Sequence, residues 1–165
     1  MALTMRALAG VLALAALSLD CANGREMGLP PVIGATEMFD PEPFSGVALN
    51  GHDPVAYFER GAPVPGRDDL DLIWAGVAWR FASEANREAF RLSPDAFAPR
   101  FGGHDPVAAA EGYLLGADPA VFLVRDGRLY LFRSEASRAR FLDHPATAPL
   151  AARRWAALRR DLVQP

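Results

Sequence analysis

The sequence contains no lysine and only one cysteine among its 165 residues. All 17 basic residues are therefore arginines, and they are scattered along a chain that also carries 20 acidic residues, for a formal net charge of −3. Proteins that bind nucleic acid present a clustered basic surface, so this charge distribution argues against a nucleic-acid partner. Hydrophobic residues make up 51% of the chain, which is enough to form a core of ordinary size.

The sequence also lacks the short motifs that mark common enzyme classes. It contains no G-x-S-x-G nucleophile turn, no H-E-x-x-H or C-x-x-C-H motif and no phosphate-binding loop. The sequence therefore predicts a binding module and not an enzyme.

Residues 1–24 are typical of a secretory signal peptide. Arg6 precedes an apolar run from Ala7 to Leu19, which is too short to span a bilayer as a stable helix. Cleavage after Gly24 would also remove Cys21 and leave no thiol for a disulfide or a metal. We therefore expect a periplasmic or secreted protein. An uncleaved membrane anchor and a lipidated Cys21 are the alternatives.

Residues 25–45 are rich in proline and have no periodicity, which is typical of an extended leader. The folded domain is expected to span residues 46–165. Within it the hexapeptide Gly-His-Asp-Pro-Val-Ala occurs twice, at residues 51–56 and 103–108.

The repetition continues beyond the hexapeptide at a constant offset of 51 residues. The matched pairs include Gly76 and Gly127, Trp79 and Tyr130, Phe81 and Phe132, Phe90 and Phe141, and Pro94 and Pro145. The pattern indicates a tandem duplication, with repeat 1 at about residues 46–97 and repeat 2 at about 98–148. Since neither repeat alone buries enough apolar surface, we expect them to pack face to face with pseudo-two-fold symmetry.

Each repeat predicts the same three elements. The aspartate before proline is expected to cap a short helix, since proline suits the first helical position. Apolar runs around a glycine turn then predict a β-hairpin. Ser83 and Ser134 are expected to cap a second helix. The residues expected to face the core from these two helices are Ala85, Ala89 and Phe90, and Ala136, Ala139 and Phe141.

An amphipathic helix is predicted at about residues 148–162, with Trp155 packed on the core. Two tandem hairpin-plus-helix repeats and this C-terminal helix define an α+β fold.

Three segments of the chain resemble the YHS domain family in its exported bacterial form. They read LNGHDPVAYF, WAGVAWRFASEANREAFRLSPDAFAPRFGG and DGRLYLF. The match extends from about Val47 to Tyr130 and less closely to Trp155. The resemblance implies a small α+β fold and a role in metal binding, often discussed for copper.

The chain departs from the family pattern at the expected metal ligands. Family members often have Gly-Gly-Tyr-Cys where this chain has Gly102-Gly103-His104-Asp105, and tyrosine is more usual at His52. Without the cysteine a thiolate Cu(I) site is not expected. Imidazole and carboxylate ligands suit zinc, Cu(II) or Fe(II) better.

Two interpretations of the repeated histidines remain open. In the first, His52, Asp53, His104 and Asp105 converge in a cleft between the repeats and bind a transition metal, copper or zinc, or a small ligand. In the second, each histidine packs beside its own turn, each aspartate caps a helix, and the protein is a cofactor-free structural or protein-interaction module of the cell envelope. Duplication copies structural residues as faithfully as ligands, so recurrence alone does not separate the two.

Overall fold

The structure, a computed structural model, describes residues 46–163, with side chains described through residue 160. The predicted signal peptide and leader, residues 1–24 and 25–45, lie outside the described residues. Repeat 1 contains a short helix, a hairpin and two helices: α1 (Ala56–Glu59), β1 (Arg67–Trp74), β2 (Val77–Phe81), α2 (Glu84–Leu92) and α3 (Pro94–Phe97). Repeat 2 and the C-terminal helix follow: α4 (Pro106–Glu111), β3 (Asp118–Arg125), β4 (Arg128–Phe132), α5 (Glu135–Asp143) and α6 (Thr147–Val163).

The predicted α+β fold is confirmed, and the hairpins of the two repeats match residue for residue at the offset of 51. Each hairpin is a separate two-stranded antiparallel sheet with an irregularity in the register of its first strand at the same position. Both turns place two residues at positive φ, Ala75-Gly76 and Asp126-Gly127. Two-residue turns of this kind match the twist of the strands, which explains the glycine in both copies.

The second helix of each repeat begins where the sequence predicts. Ser83 Oγ accepts a hydrogen bond from the backbone of Asn86, and Ser134 Oγ accepts one from the backbone of Ser137. The aromatic rings of Phe90 and Phe141 are buried in equivalent surroundings. Phe90 contacts Trp79 and Phe81, and Phe141 contacts Tyr130 and Phe132.

The prediction of which helix residues face the core was wrong at three alanines. Ala85, Ala136 and Ala139 are exposed. The inward position near the start of each helix is occupied instead by a polar side chain, Asn86 in α2 and Ser137 in α5, because it bonds to the repeated aspartate.

The described residues form two hydrophobic clusters, and the cluster of repeat 1 also contains side chains of repeat 2. We define the outer face of hairpin 2 as Phe122, Val124, Leu129 and Leu131, all of which pack in the core cluster of repeat 1. In hairpin 1 the equivalent residues are Asp71, Ile73, Ala78 and Arg80. Asp71 is exposed and Ile73 is 66% exposed. The two repeats therefore have the same internal structure but different surroundings, because only hairpin 2 is covered on both faces.

Tyr57 of α1 joins the two repeats directly. Its ring meets Phe122 edge to face with centroids 5.0 Å apart, and its hydroxyl donates to the backbone oxygen of Pro119 at 3.0 Å. Burial is the main reason that the pKa of Tyr57 lies above its ordinary value, with the charges of Asp118 and Asp53 acting in the same direction.

The C-terminal helix α6 lies against α4 of repeat 2. Ala109 of α4 and Ala151 of α6 are fully buried, and small side chains let two helix backbones approach closely. As predicted, Trp155 packs on the core, with its ring 5.9 Å from that of Phe101. None of the helices within residues 46–163 is long and apolar enough to cross a membrane.

Candidate functional site

A left-handed turn precedes the aspartate in each repeat. Leu49, Asn50 and Gly51 have φ of +57°, +50° and +78°. The equivalent residues Phe101, Gly102 and Gly103 have φ of +56°, +61° and +86°. A left-handed conformation costs a residue other than glycine roughly 1–2 kcal/mol, so the surrounding contacts must hold these turns in place.

Asp53 follows the turn in repeat 1, and both of its carboxylate oxygens accept hydrogen bonds. Oδ1 accepts from the backbone of Val55 at 2.8 Å and Ala56 at 3.3 Å. The N-cap position of α1 is Val55, so Asp53 fixes the turn that leads into the helix and does not occupy the predicted cap position. Oδ2 accepts from the backbone of Ala82 at 2.8 Å and from Nδ2 of Asn86 at 2.7 Å. The side chain is fully buried. One carboxylate thus ties the first helix to the junction between the hairpin and the second helix.

Asp105 makes the same four contacts in repeat 2. Oδ1 accepts from the backbone of Val107 at 2.7 Å and Ala108 at 3.2 Å. Oδ2 accepts from the backbone of Arg133 at 2.8 Å and the hydroxyl of Ser137 at 2.5 Å. A metal bound to either aspartate would have to displace these donors.

The two histidines occupy different environments. His52 is half-buried, and its Nδ1 lies 2.8 Å from the backbone oxygen of Leu49. Because a carbonyl only accepts, Nδ1 carries the proton and Nε2 is the nitrogen that could bind a metal. His104 is buried, and its ring lies 6.1 Å from that of Trp155 in α6.

No three of the four predicted ligands, all of which lie in the described part of the chain, are grouped together. Across residues 46–163, no three histidine, cysteine, aspartate or glutamate side chains form a group that could hold a metal ion. Asp105 caps α4 as the structural interpretation expects, whereas Asp53 bonds to the turn before α1.

A groove beside α4 in repeat 2 is the better candidate, and the sequence did not predict it. It consists of two adjacent cavities, of about 200 Å³ and 310 Å³, which share Val107, Glu111 and Arg140. We call the pair the α4 groove. The first, called the polar cavity because it holds the charged and hydroxyl groups, is also lined by Asp105, Ala108, Tyr113, Leu115, Arg133, Ser134, Ala136 and Ser137. The apolar cavity is also lined by Ala110, His144, Ala146, Thr147 and Leu150.

Glu111 is the centre of a polar cluster between the two cavities. Its carboxylate accepts from Nη2 of Arg140 at 2.7 Å and from the hydroxyl of Tyr113. The hydrogen bonds from Tyr113 and Arg140 lower the pKa of Glu111. The bond between Tyr113 and Glu111 also raises the pKa of Tyr113. Glu111 is therefore ionised and Tyr113 is a neutral donor near neutral pH.

Several residues that line the groove differ in chemistry from their counterparts in repeat 1. Tyr113, Arg133 and Arg140 align with alanines in repeat 1, at Ala62, Ala82 and Ala89. Ser137 aligns with Asn86, a larger side chain that covers Asp53, and Ala110 aligns with Phe58. These differences between aligned positions are the sequence signal that could have located this site, because the matched positions point only to the shared scaffold.

Comparison of the chain with protein-family models, curated proteins and solved structures finds no match.

Proposed function

We propose that this protein is an exported, YHS-type binding module without catalytic activity, and that it holds a small organic ligand in the α4 groove. The observation that carries the proposal is the groove itself. It combines a polar end with an apolar end, which is the arrangement that orients a small molecule in most ligand sites.

The size of the groove supports the proposal. Ligand pockets usually enclose about 300–1,000 Å³. The apolar cavity encloses about 310 Å³ and the polar cavity about 200 Å³. The site is therefore suited to a compact molecule and is too small for a large cofactor.

The scaffold around the groove also supports binding. Asp105 fixes the start of α4 to the start of α5 through Val107 and Ser137. Glu111 and Arg140 are thus carried on two helices that one carboxylate joins. A site held in this way loses little conformational entropy when a ligand enters.

The first experiment is native mass spectrometry of the protein purified from the periplasm, with metal analysis of the same sample. We expect an organic adduct in a 1:1 ratio, or stabilisation by members of a panel of small acids, alcohols and amines. Ser137→Asn tests whether the ligand lies in the groove. It introduces the residue that bonds to the aspartate in repeat 1, and its larger side chain reduces the volume of the polar cavity. Binding should fall in Ser137→Asn and persist in the control Arg91→Ala, which removes an exposed arginine from α2.

The alternative function predicts a different result. A stoichiometric metal that is lost in His52→Ala and His104→Ala, with no organic adduct, would support the metal hypothesis and contradict ours. Absence of any metal, adduct or stabilising compound would favour the structural or protein-interaction module of the envelope.

A further inference from the structure

We infer that the ligand of the α4 groove is a small organic anion, a carboxylate with a short aliphatic chain. The inference rests on the proposed function. In this arrangement the carboxylate lies between Arg133 and Arg140, and the chain extends into the apolar cavity beside Leu150.

The charges at the groove favour an anion. Its two acidic groups are already bonded, since Asp105 accepts four hydrogen bonds and Glu111 accepts two. Arg133 lines the polar cavity and forms no ion pair with any described residue. A ligand carboxylate would therefore meet cationic donors that still have hydrogen-bonding capacity.

Arginine is also the side chain best suited to a carboxylate. Its planar guanidinium can donate two parallel hydrogen bonds to the two oxygens of one carboxylate. Arg140 already binds one oxygen of a carboxylate, that of Glu111, through Nη2 at 2.7 Å. The side chains of this pair are 60% and 40% exposed, so a ligand carboxylate can reach Arg140 and compete with Glu111 for it.

The apolar cavity indicates that the remainder of the ligand is aliphatic. Ala110, Ala146 and Leu150 present aliphatic carbon there, and Leu150 is 40% exposed. Repeat 1 has Phe58 at the position of Ala110, and its ring packs against Phe97 with centroids 5.5 Å apart. The alanine at this position in repeat 2 leaves room for an aliphatic chain.

The test is a calorimetric titration of the purified protein with butanoate, octanoate, octylammonium and octanol at one ionic strength. We expect octanoate to bind at least tenfold more tightly than octylammonium or octanol. Each fully buried methylene tightens binding by about fourfold, so burial of at least two of the four extra methylenes of octanoate should make butanoate weaker by tenfold or more.

Two substitutions should change octanoate affinity in opposite directions. Arg140→Ala should weaken it by roughly tenfold or more, because a charge-assisted pair is lost. Glu111→Gln should tighten it several-fold, because the competing carboxylate is removed while the side-chain shape is kept. Arg91→Ala, which breaks a similar exposed pair with Glu88 in α2, should change nothing.

The outcomes separate this inference from the proposed function. If octylammonium or octanol binds best and Ser137→Asn weakens that binding, the groove is a ligand site but the anion inference is wrong. Weaker binding of octylammonium in Glu111→Gln would show that Glu111 recognises a cationic ligand, and it would overturn the anion inference as well. If no probe binds and the purified protein carries no organic adduct, both proposals fail.

Ala110→Phe gives an independent check on the chain. It places the residue of repeat 1 in the apolar cavity, so octanoate affinity should fall to that of butanoate. Should Ala110→Phe fail to fold, Leu150→Ser on α6 tests the same contact at an exposed position. Unchanged octanoate affinity in Leu150→Ser would show that the aliphatic chain of the ligand does not lie in the apolar cavity.

Discussion

Asn86 and Asp53 form a buried hydrogen bond in repeat 1, with Nδ2 2.7 Å from Oδ2, and Ser137 and Asp105 form its counterpart in repeat 2. Both aspartates are buried, and Asp105 also lies at the wall of the α4 groove. One structural device is therefore kept in both repeats, and in repeat 2 it adjoins the candidate ligand site.

The buried aspartates should be essential for stability. In Asp53→Asn the new amide group faces donors, so buried N–H groups lose their acceptor, and we expect a loss of about 2–4 kcal/mol in the free energy of unfolding. Asp105→Asn should behave in the same way. Urea denaturation measures both. Asp71→Asn, at an exposed position of β1, is the control and should change stability by less than about 0.5 kcal/mol. Equal effects of all three substitutions would contradict the capping role.

The unequal contact between the repeats predicts unequal effects of substitution at matched positions. Leu131→Ala, on the buried outer face of hairpin 2, should cost about 2–5 kcal/mol, because it leaves a cavity in the shared core. Arg80→Ala, at the equivalent position of hairpin 1, should cost less than about 1 kcal/mol, because its ion pair with Asp68 is exposed. Thermal unfolding distinguishes them. Comparable losses would show that both outer faces are buried.

The raised pKa of Tyr57 predicts a loss of stability at alkaline pH. The unfolded chain releases this proton near the ordinary value of 10.0, whereas the folded chain retains it to higher pH. Stability from this group is complete below that value and falls above it, by up to about 1.4 kcal/mol per pH unit.

Tyr57→Phe separates this effect from other titrations. Near pH 7 it should cost about 1–2 kcal/mol, because the oxygen of Pro119 loses its donor. Its stability should then fall less steeply above pH 10 than that of the wild type. Parallel curves for the two proteins would assign the alkaline loss to other groups.

The local structure was predictable because short-range chemistry determines it. Asp-Pro before α4, serine before α2 and α5, and Asp126-Gly127 at the second turn each satisfy a specific backbone requirement. The constant offset then fixed the order of elements in both repeats. Signals of this kind depend on a few neighbouring residues and not on the rest of the fold.

The packing and the site were less predictable, because they depend on which surfaces meet. β4 is buried at four consecutive positions, whereas β2 alternates between buried and partly exposed residues. Continuous burial of this kind marks a strand covered on both faces, and the Leu-Tyr-Leu-Phe run of β4 carried that signal in the sequence. The four repeated ligand candidates attracted attention because they recur, yet the groove also depends on Tyr113, Arg133 and Arg140, which do not.

The most direct test of ligand binding in the α4 groove is a map of amide chemical shifts in the ¹⁵N-labelled protein, titrated separately with octanoate and octanol. We predict that the largest changes for both probes fall at Val107, Glu111, Ser137 and Leu150, with little change at Asp53 and Asn86. Changes confined to repeat 1, or no saturable change with either probe, would contradict the account.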